Sequence, residues 1–194
     1  MRTQEKIGVA IVGLGIGEKH AHAYHKMDNC VIHWFYDLSY IKAKVVADEL
    51  GQGRVAASFE EVLHDPKVQI ISIASYDSAH FEQVVAALDA GKHVFVEKPI
   101  CRTIDELEIV KRAWIRHKNK LILSSNLVLR SAPLYQWLKN KIESKVFGEI
   151  YPGIRKPLRT RHLIAIDEYA IAPSFGCKPG KALEAIPKFL AFID

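Results

Sequence analysis

A carboxylate and an amine stand together where the apolar run His93-Val94-Phe95-Val96 closes in Glu97-Lys98-Pro99. In an open parallel sheet, ligands sit in the crevice outside the carboxyl ends of the strands, so a strand here delivers Glu97 and Lys98 to that crevice. Pro99 ends the ladder because it has no N–H to give. Lys98 is therefore a candidate polarising group or general base, if burial lowers its hold on the proton. Glu97 beside it opposes that, since a nearby carboxylate favours the charged amine. The competing reading makes both residues solvated charges at a strand end.

A second constellation lies at the amino terminus. Ile7-Gly8-Val9-Ala10-Ile11-Val12 is an apolar run of strand length, Gly13-Leu14-Gly15-Ile16-Gly17 follows at once, and a helical stretch begins at Glu18. Strand, glycine turn and helix in that order make an anion cradle. Gly13 permits the tight turn, Gly15 lets backbone approach a pyrophosphate, and the helix aims its free N–H groups at the anion. The full fingerprint wants its third glycine where this chain has Glu18; Gly17 comes one place early. A second strand over 31–36 ends in Asp37, about 20 residues past the glycines, where a carboxylate accepts from a ribose 2′-OH and repels a 2′-phosphate. Asp37 thus selects NAD over NADP, or else it caps the turn into the helix near Ser39.

These residues need a scaffold that alternates strands and helices. Apolar runs predict strands at 7–12, 31–36, 54–56, 70–74, 93–96 and 121–124, and helical stretches near 18–28, 39–50, 58–65, 78–90 and 103–118. Ser58 with Glu61, and Thr103 with Glu106, have capping-box spacing. The alternation requires an α/β fold: a doubly wound, Rossmann-type parallel sheet with helices on both faces. Residues 1–124 are read as this dinucleotide-binding domain, 125–151 as a linking helix and the start of a second domain at Phe147–Tyr151, and 152–194 as an atypical tail.

Together the motifs resemble the Gfo/Idh/MocA family of NAD(P)-dependent oxidoreductases, over residues 6 to 151. The likeness rests on Ala10 to Gly17 with His20 following, Asp37, Ser75 to His80, Ala90 to Pro99, and Ser125-Asn126-Leu127-Val128-Leu129-Arg130 leading to Pro133. The resemblance implies that Gly13, Leu14, Gly15, Ile16 and Gly17 hold the pyrophosphate. It also implies that Lys98 lies beside nicotinamide and substrate as the catalytic residue, with Ser75, His80 and Glu97 on the cofactor side and Asn126 and Arg130 on the substrate side. The family's usual Thr-Pro-Asn turn is Ser75-Tyr76-Asp77 here. The implied substrate is a sugar, nucleotide sugar or cyclitol hydroxyl, and the 126–130 pattern is similar to members linked to surface-polysaccharide and nucleotide-sugar pathways.

With 194 residues, 49% hydrophobic and 25% charged, the chain buries one good core and little more. The family's second domain, a mostly antiparallel sheet that covers the cofactor, finds no counterpart past Pro152. Prolines interrupt that stretch and Arg155, Lys156, Arg159 and Arg161 make its start basic, so a truncated or frameshifted end is expected, with a native short cap as the alternative. His162 does not reproduce the spacing of the family's catalytic helix, and Gly176 to Ala182 is one residue short of a phosphate loop. A net charge of +5 is spread along the chain, and no nucleic-acid motif accompanies it. No run spans a membrane. Cys30, Cys101 and Cys177 are too widely spaced for a zinc site or a disulfide framework, and a reducing, cytoplasmic setting is expected. His20, His22 and His25 share a helix without an accompanying acid, so no metal site is expected. A homo-oligomer is left open. Two functional classes follow: a dehydrogenase in which Lys98 acts on a substrate hydroxyl, and a dinucleotide-binding module without turnover.

Overall fold

The computed structural model describes residues 5–117, 120–144 and 146. Along the chain run β1 Ile7–Val12, α1 Gly17–His25, β2 Cys30–Tyr36, α2 Tyr40–Leu50, β3 Arg54–Val55 and α3 Phe59–His64. They are followed by β4 Ile70–Ile73, α4 Asp77–Asp89, β5 His93–Val96, α5 Ile104–Arg116 and β6 Leu123–Ser125. The strands form one six-stranded sheet in the order β3-β2-β1-β4-β5-β6, every neighbour parallel. The order reverses between β1 and β4. That reversal sends the crossovers to opposite faces and opens a crevice at the carboxyl ends of those two strands.

Burial explains why the strands read as continuous apolar runs. Every residue of β4 is buried, as are Val94, Phe95 and Val96 of β5, because helices cover a parallel sheet on both faces. α1 packs with α2, and α4 with α5. On one side Ile11, Phe35, Tyr24, Ala43 and Val46 make a single cluster.

Sequence signals placed the helix starts well. Thr103 and Glu106 close a reciprocal capping box at the start of α5. At α3 only half of the expected box forms: Ser58 Oγ accepts from Glu61 N at 3.4 Å, but the Glu61 carboxylate reaches back to Ala57 N at 2.7 Å. β6 begins at Leu123 rather than Leu121. The Leu121 carbonyl is taken by Trp114 Nε1 (2.7 Å) and the Ile122 N–H by His93 Nδ1 (2.9 Å). α1 stops at His25 rather than Asp28, since Met27 bonds back to the Tyr24 carbonyl and its own carbonyl receives Cys30 N at 3.0 Å.

The chain divides into two compact units, one closing at Asn126 and the other opening at Leu127. In the second, a 3-10 turn at Val128–Arg130 leads to α6, Pro133–Glu143, with proline at the helix start where its missing N–H costs nothing. The Arg130 carbonyl accepts from Gln136 Nε2 at 3.2 Å. The strand expected at 147–151 and the tail from 152 lie outside the described residues. No helix among those described is long and apolar enough to cross a membrane.

Candidate functional site

The three glycines do three different jobs. Gly13 has φ +80°, and a Cβ there would lie 2.5 Å from the Ser75 backbone, so the loops after β1 and β4 meet only because position 13 has no side chain. Its N–H donates to the Tyr36 carbonyl at 2.7 Å. Gly15 faces open space, with nothing within 4 Å of where a Cβ would lie. A Cβ on Gly17 would meet Ala74 Cβ at 3.1 Å and Ile11 Cγ2 at 3.4 Å, so the early glycine still lets α1 lie close against the sheet. Ile16 offers α1 no side-chain cap, which leaves first-turn N–H groups for an outside acceptor.

Asp37 pins this loop. Its Oδ2 accepts the Leu14 N–H at 2.7 Å and its Oδ1 the Ser39 N–H at 2.8 Å. The turn-holding role is thus real, and a carboxylate still keeps lone pairs for a further donor. An open crevice of about 490 Å³ runs past Gly13, Gly15, Asp37, Lys42, Ser75 and Tyr76. Ser75 Oγ donates to Gln83 Oε1 at 2.6 Å, and Gln83 lines the same crevice. Lys42 and Gln83 carried no motif. The signal that could have found them is their place in the first two turns of helices that leave crevice-forming loops.

Past the ends of β5 and β6 side chains do the holding. Glu97 turns inward, its side chain only 12% exposed, and its Oε1 receives His20 Nε2 at 3.2 Å and Asn126 Nδ2 at 2.6 Å. Oε2 accepts the Lys98 N–H at 3.3 Å. Burial alone would push the Glu97 carboxyl up, but the hydrogen bonds from His20 and Asn126 and the Lys98 N–H together hold it below its usual range. Glu97 is therefore no solvated strand-end charge, whereas Lys98 is exposed.

His20 is fully buried and its Nδ1 lies 2.9 Å from Ser72 Oγ. The expectation that no acid accompanies the α1 histidines is corrected: His20 meets Glu97, and His22 meets Glu49 at 3.7 Å. Spacing within one helix hid both partners, which come from β5 and α2. His20 could have been found as a polar group on the buried face of α1, where it needs partners. His80 is also fully buried, its Nδ1 2.7 Å from the Pro99 carbonyl and its Nε2 3.1 Å from the Ser75 carbonyl, so it ties together the loops after β4 and β5. Arg130 lies in the second unit. Among the described residues no group of three or more His, Cys, Asp or Glu is placed to hold a metal.

Strand order, glycine loop and acid define a doubly wound α/β domain of the Rossmann type. Residues 7–125 match the Gfo/Idh/MocA oxidoreductase family, described by its NAD-binding Rossmann fold, and the chain belongs to that family. It is 31% identical over 150 residues to the inositol 2-dehydrogenase/D-chiro-inositol 3-dehydrogenase of Lactiplantibacillus plantarum, covering 73% of this chain and 41% of that one. Among solved structures it is similar to apo scyllo-inositol dehydrogenase from Lactobacillus casei, at 29% identity and TM-score 0.71, over 76% of this chain and 44% of that one. The same enzyme with bound NAD(H) and scyllo-inositol gives TM-score 0.70 at 28% identity, over 75% and 43%. The chain spans about two fifths of the length of the curated relatives it matches.

Proposed function

We propose that this chain provides the NAD-binding half of a dehydrogenase acting on a cyclitol, sugar or nucleotide-sugar hydroxyl. The observation that carries this is the open space at Gly15, which faces the crevice between the uncapped start of α1 and the Asp37 carboxylate. That geometry suits a dinucleotide. Gly15 and the α1 N–H groups would hold the pyrophosphate, Asp37 the adenosine ribose 2′-OH, and Ser75 the region beyond it. When bound, NAD accepts the hydride. Lys98, at the end of β5, would polarise the substrate hydroxyl and take part in moving its proton, while Asn126 would address the substrate. The named relatives act on inositols, which puts a cyclitol first among substrates.

Asp37 repels a 2′-phosphate and so favours NAD, although Lys42 on the same crevice softens that preference. Calorimetric titration with both dinucleotides, followed by NAD reduction assays with inositols, sugars and nucleotide sugars, tests the proposal. NAD is expected to bind more tightly than NADP. Binding without turnover on any of them would instead support a dinucleotide-binding module, and no binding at all would overturn both readings.

A further inference from the structure

Glu97 and Lys98 are chain neighbours just past the end of β5, and a carboxylate free to swing outward would pair with the ammonium and hold it charged. The structure directs that carboxylate elsewhere. Its Oε1 is held from inside by His20 Nε2 (3.2 Å) and Asn126 Nδ2 (2.6 Å), and its Oε2 by the Lys98 backbone N–H (3.3 Å). Among the described residues no ion pair joins Glu97 to Lys98 Nζ.

The inner holder is itself held. His20 Nδ1 lies 2.9 Å from Ser72 Oγ, which is also bonded to the buried Tyr24 hydroxyl. A ring that donates from Nε2 to Glu97 accepts at Nδ1 from the serine hydroxyl, so one neutral tautomer satisfies both contacts. Two donors, His20 from α1 and Asn126 from the end of β6, thus meet on one carboxylate oxygen, and β4 supports the first of them through Ser72. His20 also sits on the helix that opens with the glycine loop, so the anchor of Glu97 and the candidate pyrophosphate cradle share a rigid element.

We propose that His20 is a positioning residue for Lys98: by keeping the Glu97 carboxylate turned inward, it leaves the Lys98 amine unpaired and available to the substrate. The proposal rests on the reading of Lys98 as the amine that meets substrate. Its test reads Lys98 without turnover. The full chain is acylated at mildly alkaline pH with limiting reagent, and peptide mass spectrometry follows Lys98 against the exposed Lys67 and Lys111. His20→Leu should release Glu97 toward Lys98 and slow Lys98 acylation about threefold, the scale of an exposed ion pair. His20→Gln, whose amide N–H reaches where Nε2 stood, should restore the parent rate, and Asn126→Leu should slow Lys98 as His20→Leu does.

An unchanged Lys98 rate in His20→Leu overturns the proposal; should that variant not fold, an unchanged rate in Asn126→Leu does so. Equal slowing in His20→Leu and His20→Gln also overturns it, because packing would then be the whole role. NAD(H) titration of the parent reports on the dinucleotide reading separately. A parent that fails to bind NAD(H) removes that reading without touching the acylation result.

Discussion

The two sides of the sheet's carboxyl edge are built by different means. Between β1, β2 and β4 the backbone makes the site: Gly13 allows two loops to touch, Gly15 leaves room, and Asp37 does its work by accepting main-chain N–H groups. At the ends of β5 and β6 side chains make it, through His20, Glu97 and Asn126. A backbone site fails when a Cβ is added in the wrong place. A side-chain site fails when a donor is removed or a proton is gained.

The largest effect should come from adding a Cβ on the first side. Gly13→Val combines positive φ with a clash against the Ser75 backbone, and is expected to cost about 3 kcal/mol or more, seen as a drop of about 10 °C or more in thermal unfolding. Gly15→Val, which meets nothing in the protein, should unfold within about 2 °C of the parent yet lose NAD binding by calorimetry. If the second variant binds NAD as the parent does, the glycine loop is only a strand-to-helix turn.

Asp37→Ala should be milder. It removes a charge-assisted acceptor for the ribose and frees the Leu14 and Ser39 N–H groups, so NAD affinity should fall about tenfold or somewhat more. NADP affinity should fall less, which narrows the gap between the two in paired titrations.

The smallest effect belongs to protons. His93 opens β5, its Nδ1 accepting from Ile122 N, and burial holds its ring below the usual histidine range. The unfolded chain then binds a proton that the folded chain refuses, so stability should decline as pH falls below about 6.5. Glu97, held below the ordinary carboxylate value of 4.5, contributes fully above that value and loses its contribution as the pH falls from there through its lowered folded value. Urea titrations at about pH 7 and about pH 5 should therefore differ in the parent and converge in His93→Gln.

Much of the backbone-built side was legible because its signals are local. The glycines, the strand before them and the acid after the next strand keep close spacing, and even the misplaced Gly17 was read as part of the loop. The strands and the Thr103 cap were legible for the same reason. The partners of His20 were not, because Ser72 and Glu97 lie far along the chain and reach it only through the fold. The Glu61 bond to Ala57 and the late start of β6 were hidden likewise, since each depends on where a particular side chain or ring finds a partner. Glu97 and Lys98 were found together, but that they face different ways shows only in three dimensions.

The sheet's outer strands are brief. β3 has 2 residues and β6 has 3, against 6 and 7 for β1 and β2 in the interior. An exposed strand edge is a row of unpaired N–H and C=O groups that another chain can extend, and shortening it is one way proteins resist edge-to-edge aggregation. Among the described residues β1 and β4 are paired on both sides and the fully buried β4 has no free edge, so the apolar middle of the sheet is closed to β-type self-association during expression or concentration.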